Sequence, residues 1–158
     1  MKRLSHRVCL LLGSNIRPEY NLPLAVAQLR LELTVLQVSS VWESEPVGGN
    51  GPCYLNAALL AVSSWDALLL KQRILLPLEA RLGRVRSADK NAPRPIDLDI
   101  ILFDRRLLDP TLGDFTYRAV PVSELLPEYL SEQGKPLKEV AAVLAAANPV
   151  HLRTDVVL

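Results

Sequence analysis

The segment Ile96–Phe103, IDLDIILF, is the strongest single constraint on what this 158-residue chain can fold into. Its first residues alternate apolar and acidic at period two, which suits a half-buried strand and not a helix. On such a strand Ile96, Leu98, Ile100 and Leu102 share one face, and Asp97 and Asp99 share the other. A strand buried on one face needs neighbours beside it and a layer packed against it. The other apolar segments supply both. Val8–Leu12 is a continuous apolar run closed by Gly13, as expected of a buried strand, and Thr34–Trp42 and Tyr54–Val62 read as two more. Asn21 and Pro23 open a helix on which Leu22, Val26, Leu29 and Leu33 recur. Ser63-x-x-Asp66 resembles a capping box and starts a second, long helix that ends at Leu82-Gly83, with a kink expected at Pro77. Pro136 starts a final helix with Val140, Leu144 and Ala147 on one face. Glu43–Pro52 and Arg84–Pro95 read as loops. The order β-α-β-β-α-β predicts an α+β, ferredoxin-like sheet with packed helices and a C-terminal extension, residues 1–158 forming one domain.

Charge and composition exclude several function classes. Lys+Arg 18 against Asp+Glu 17 leaves +1, and aromatics make up 5%, which argues against nucleic acid held by bulk charge or base stacking. Two cysteines, Cys9 and Cys53, cannot build a disulfide framework, and two histidines, His6 and His151, argue against histidine-based catalysis. Basic residues precede Val8–Leu12, but that run is shorter than a signal core, and no segment is long enough to span a bilayer. The expectation is a cytoplasmic protein without membrane or nucleic-acid partners.

Two carboxylates about 7 Å apart at Cα on one strand face repel each other unless a cation joins them. Magnesium takes one or two carboxylates together with phosphate oxygens. A bare Asp-x-Asp is more often a solvated pair, but here the flank is cationic. Arg81, Arg84, Arg86, Lys90 and Arg94 face a single acid, Asp89, in the stretch before the strand. Guanidinium groups suit bidentate phosphate contacts, so a metal–polyphosphate substrate is the expected ligand.

The run Lys90-x-Ala92-Pro93-Arg94-x-x-Asp97-Leu98-Asp99-Ile100-Ile101 resembles the diagnostic motif of the 6-hydroxymethyl-7,8-dihydropterin pyrophosphokinase family. Further matching elements fall in the same order: Gly13-Ser14-Asn15, Glu45-Pro46-x-Gly48, Tyr54-Leu55-Asn56-Ala57 and Gly83-Arg84-x-Arg86. The resemblance implies transfer of a pyrophosphoryl group from ATP to the hydroxymethyl oxygen of the dihydropterin, releasing AMP, by a monomer or homodimer. It implies that Asp97 and Asp99 bind two magnesium ions, with Asp97 the better placed to help remove the hydroxyl proton. It assigns Arg84, Arg86, Arg94, Ile100 and Arg118 to ATP, with Arg84 and Arg94 also catalytic. It assigns Ser44, Pro46, Val47, Tyr54, Asn56 and Tyr117 to the pterin. Tyr54 and Asn56, at i and i+2, offer a ring beside an amide on one strand face.

The chain departs from the family pattern after the acidic strand. A Pro-His element is replaced by Asp109-Pro110-Thr111-Leu112-Gly113-Asp114-Phe115-Thr116-Tyr117-Arg118, which offers Tyr117 or Phe115 as second stacking ring and Arg118 as a phosphate-binding arginine. Asn91 stands where an aromatic is usual, and an expected polar residue of the second helix falls near Leu76. These losses keep open a weakened relative that binds pterin or nucleotide without turnover. An RNA-binding ferredoxin-like module ranks last, since its aromatic strand is absent. The cationic loop 84–95 is expected to stay open by self-repulsion until a polyanion arrives, with Arg94 nearest Asp97.

Overall fold

The computed structural model describes residues 4–158; Lys2 and Arg3 of the basic N-terminal stretch lie outside the described residues. Its centre is a seven-stranded sheet in the order β6-β5-β1-β4-β3-β7, with β2 also paired to β4. The strands are β1 His6–Ser14, β2 Thr34–Val38, β3 Trp42–Ser44, β4 Tyr54–Ser63, β5 Asp97–Phe103, β6 Arg106–Leu107 and β7 His151–Leu152. Every pairing is antiparallel. β1 is central because Val8–Leu12 is apolar on both faces: Val8, Leu10 and Leu12 enter one core cluster, Cys9 and Leu11 the other.

The helices divide between the two faces. α1 (Pro18–Glu32) buries Leu22, Ala25, Val26 and Leu29 on one face, joined there by a rod made of α2 (Ala67–Leu70), a π-helical turn (Lys71–Leu75) and α3 (Leu76–Arg81). α4 (Thr116–Leu125) and α5 (Leu137–Ala147) cover the opposite face through Ala119, Val122, Leu125, Leu137 and Ala141. The β-α-β-β-α-β order is thus present, and the extension supplies the second helical layer.

Several boundaries differ from expectation. α1 begins at Pro18, not at Asn21, because Pro18 sits in the first turn, where a missing N–H costs nothing, while Pro23 rides inside the helix. The expected second strand is two strands: at Ser39 the backbone N–H still donates to Ala58 O at 2.9 Å, but the hydroxyl accepts from Ala58 N at 2.8 Å. Asp66 alone caps the second helix, accepting from Leu69 N at 2.9 Å, while Ser63 bonds to the Trp65 backbone. Pro77 lies in the first turn of α3, and the wide π turn before it contains Arg73, whose carbonyl receives no i→i−4 bond from Pro77. α4 was not expected, since Pro121 lies within it. On α5 the packed face runs through Leu137, Val140, Ala141 and Leu144, and Ala147 is exposed.

The alternation on β5 also breaks. A bulge in the β1–β5 register between Cys9 and Leu10 leaves Ile101 opposite no partner, so Leu98 and Ile100 join the α1 side while Ile101 and Leu102 both join the α4 side. Leu102 therefore does not share a face with Ile96, Leu98 and Ile100. The break comes after Asp99, so the two aspartates keep their common face.

Candidate active site

The register places the aspartates over the middle of the sheet. Gly13 of β1 pairs with Asp97 on one side and Asn56 on the other, and Asn56 pairs with Trp42 of β3. One row therefore reads Asp97, Gly13, Asn56, Trp42, and a side chain at Gly13 would fill its centre. An added Cβ there would meet Asn56 Oδ1 at 3.3 Å and Tyr54 Cδ1 at 3.7 Å. This glycine makes room; its backbone needs no special conformation.

Above that row lies a cavity of about 200 Å³ lined by Ser44, Pro46, Val47, Tyr54, Asn56, Arg94, Asp97, Asp99, Tyr117 and Arg118 among others. All six residues expected on the pterin side are thus brought together. Asn56 is buried, and its amide donates to Ser44 Oγ at 2.8 Å and to Trp42 O at 3.4 Å, leaving Oδ1 as its unengaged acceptor. Burial pushes the Tyr54 hydroxyl pKa up, with Arg94 opposing. Phe115 and Tyr117 stack at 5.4 Å between centroids, and only Tyr117 of the two lines the cavity.

A second, larger cavity of about 460 Å³ wraps the outer edge of β5. β6 pairs only with Leu102 and Phe103, so the Asp97–Ile100 half of that edge stays open. Its wall combines Lys71 and Leu75 of the π turn, Leu98 and Ile100 of β5, and Leu108, Asp109 and Pro110. Asp99 and Arg118 line both cavities. Leu75 rather than Leu76 faces this space, because the π turn shifts the helical register by one residue.

The cations are not a repelling cluster. Gly83, at φ +93, closes α3 with the Arg84 N–H bonded to Glu79 O at 3.0 Å, and this reversal sends the Arg84 side chain back across the helix end. Its Nη1 lies 2.8 Å from Glu79 Oε1 and 2.7 Å from Asp97 Oδ1. Arg94 Nη1 lies farther away, 3.3 Å from Asp97 Oδ2, so Arg84, not Arg94, is the nearest cation. Arg94 is anchored by its backbone, which exchanges hydrogen bonds with Asn15 at 2.7 and 3.1 Å. Arg86 is exposed and pairs with Glu79 at 3.2 Å. Arg84 and Arg86 line neither cavity in this arrangement.

Glu79 is the hub that sequence reasoning missed. It is 3% exposed, accepts from the Leu98 N–H on the open β5 edge at 2.9 Å, and faces both Arg84 and Arg86. Burial pushes its pKa up, against the Leu98 hydrogen bond and Arg84. A single acid inside an otherwise apolar helix face, four residues before a Gly-Arg, was the available signal.

Both Asp97 oxygens are engaged by guanidiniums, whereas among the described residues Asp99 has only Arg118, 3.5 Å away. Burial pushes the Asp99 carboxyl pKa up, the Asp97 charge pushes the same way, and Arg118 opposes. Arg118 is itself held by Asp109 at 2.6 Å and lies over the Tyr117 ring at 5.3 Å. Burial works against its charge, yet Tyr117, Asp109 and Asp99 raise its pKa. Its Nε is buried without a partner among the described residues. Among the described residues no three metal-ligating side chains cluster. The adjoining Asp97 and Asp99 carboxylates fit an ion that takes its remaining ligands from phosphate and water.

Comparison with known proteins places the chain in a family. A family model described as 7,8-dihydro-6-hydroxymethylpterin-pyrophosphokinase (HPPK) matches residues 9–127. A Synechocystis protein named 2-amino-4-hydroxy-6-hydroxymethyldihydropteridine pyrophosphokinase is 34% identical over 131 residues, covering 75% of this chain and 66% of its own. A Bacillus subtilis protein of the same name is 38% identical over 136 residues, covering 77% of this chain and 78% of its own. A Plasmodium falciparum HPPK-DHPS crystal structure superposes with TM-score 0.71 at 9% identity, over 92% of this chain and 46% of that one, and shows the shared fold. The chain thus spans about two thirds of the Synechocystis relative and under half of the Plasmodium chain.

Proposed function

Because the chain belongs to the 7,8-dihydro-6-hydroxymethylpterin-pyrophosphokinase family, we propose that it transfers the pyrophosphoryl group of ATP to the hydroxymethyl oxygen of 6-hydroxymethyl-7,8-dihydropterin, releasing AMP, in folate biosynthesis. The observation that carries this reading is the seam between the cavities. Asp99 and Arg118 belong to both walls, so groups bound on either side meet at those two residues. The smaller cavity takes the pterin: Tyr54 and Tyr117 offer rings, Asn56 Oδ1 an acceptor for a ring N–H, and Ser44, Pro46 and Val47 the side wall. The larger takes ATP, its base against Leu75, Ile100 and Pro110 and its phosphates toward Arg118.

Asp97 and Asp99 would hold two magnesium ions, which neutralise phosphate charge and align the attacking and leaving oxygens. The arginines supply the rest of the positive field. Arg84 and Arg94 sit on Asp97 within hydrogen-bond range of its two oxygens, and Arg118 sits beside Asp99. An incoming triphosphate competes with these carboxylates for the guanidiniums, drawing the 84–95 loop over the site and excluding water as a rival acceptor. Arg86, exposed and only loosely tied to Glu79, is the residue freest to follow the phosphates.

The test is chromatography of ATP incubated with magnesium, with and without the pterin. AMP accumulates only with the pterin, and Asp97→Ala and Asp99→Ala each nearly abolish it while keeping the native fold. ADP as product, or equal ATP loss without pterin, overturns the reading. The chain has no histidine between Asp104 and Val150, which favours a second reading as a binding-only relative. Pterin binding with no AMP under any condition would establish that one.

A further inference from the structure

The segment after Val150 lies beyond the residues the family model matches, yet it pairs with β3, the strand that carries Ser44 into the wall of the smaller cavity. β7 pairs with β3 in the register Trp42–Leu152 and Glu43–His151, and Arg153 N donates to Val41 O at 2.9 Å. Without β7, the three-residue β3 would be an edge strand bordering the 45–53 loop. Strand alternation puts Trp42 and Ser44 on one face of β3 and Glu43 on the other. On the first face Ser44 holds the Asn56 amide, and the Trp42 indole donates to Glu124 of α4. On the second face Arg153 reaches Glu43 at 2.6 Å and, less closely, Glu19 of α1 at 3.3 Å. Asp155 at 2.8 Å orients the same guanidinium, and Val156 and Leu158 pack against the α1-side core.

We propose that Arg153 is a positioning residue for the acceptor: by bracing Glu43 from behind, it fixes β3 so that Ser44 keeps Asn56 aimed into the smaller cavity. The inference rests on the reading of that cavity as the pterin site. It touches neither Asp97 nor the larger cavity, so it separates acceptor binding from nucleotide binding. A strand that frays part of the time lowers apparent affinity by the fraction of time it is formed, without changing the rate of the bound complex.

The experiment measures KM for pterin and for ATP, kcat, and calorimetric binding of the unreactive oxidised pterin. The variants are Arg153→Ala, Arg153→Lys, Glu43→Gln, the Arg153→Ala/Glu43→Gln double and Glu19→Gln. Arg153→Ala and Glu43→Gln each raise pterin KM and Kd about fivefold, with kcat and ATP KM within twofold of the parent. The double variant adds little to either single, Arg153→Lys recovers part of the loss, and Glu19→Gln changes nothing. A role in stability alone would lower the active fraction, and so kcat, leaving pterin KM unchanged. That result, or parallel rises in both KM values, overturns the proposal. A parent protein that neither binds nor uses the pterin would instead overturn the functional reading.

Discussion

Replacing Asp99 by Asn should remove activity and yet make the ligand-free protein more stable. Asp99 and Asp97 lie about 7 Å apart along the strand, where two like charges at an effective dielectric of 20 repel by roughly 2 kcal/mol. The Asp99 side chain is 41% exposed, so solvent screening reduces this to about 1 kcal/mol. The variant gives up the Arg118 contact at 3.5 Å, but Arg118 keeps its closer partner Asp109 at 2.6 Å. The sign follows from the raised Asp99 pKa. A carboxyl that is harder to ionise when folded contributes stability below its unfolded pKa of about 4, and loses that contribution as pH rises through its folded value. Asn, which never ionises, avoids the loss. The melting temperature of Asp99→Asn in EDTA should therefore match the parent near pH 4 and exceed it by roughly 2–4 °C at pH 7 to 8. Adding magnesium and a non-hydrolysable ATP analogue should reverse the order, because only the parent binds them well; saturation at a hundred times Kd adds about 2.7 kcal/mol. Thermal melts across pH, by circular dichroism, check both halves. A variant less stable than the parent at pH 7 in EDTA, or a gap independent of pH, would refute the electrostatic argument.

Three further outcomes follow from the same geometry. Gly13→Ala, whose Cβ would press on Asn56 Oδ1 and Tyr54, should weaken pterin binding roughly tenfold while leaving ATP binding and folding intact, as read by calorimetry and thermal melts. Tyr54→Ala and Asn56→Ala should each weaken pterin much more than ATP; equal losses in titrations of both ligands would count against the division of the cavities. Glu79→Gln should cost about 2 kcal/mol in chemical denaturation, below the usual range for a broken buried pair because Arg84 keeps Asp97, and should slow AMP formation about tenfold.

The central sheet was legible because its strands carry the pattern that burial demands. Val8–Leu12 is apolar throughout since β1 has helices on both sides, and Asp97 and Asp99 interrupt an otherwise apolar strand where only a cavity tolerates them. Tyr54 and Asn56 are legible in a short motif, and the pairing of β3 with β4 sets them beside Ser44, while Tyr117 reaches the same cavity from α4. What could not be read was set by contacts distant in sequence. Leu102 changes face because of a bulge opposite β1, and α4 forms around Pro121 because Ala119 and Val122 find the β1 and β4 core. In the sequence the loop cations read as mutually repelling because their partners Glu79, Asp97 and Asn15 come from three other parts of the chain. β3 and β7 are too short to carry a periodic signal of their own.

In the proposed reaction one pyrophosphoryl unit crosses the seam at Asp99 and Arg118. Phosphorus-31 spectroscopy of a reaction containing ATP, magnesium and 6-hydroxymethyl-7,8-dihydropterin tests it most directly. The β and γ phosphorus signals of ATP should disappear together into a pterin-bound diphosphate, with AMP appearing in equal amount. Arg118→Ala should slow this conversion about a hundredfold or more while pterin still binds. A pterin monophosphate formed alongside ADP, or an Arg118→Ala protein that reacts at the parent rate, would contradict it.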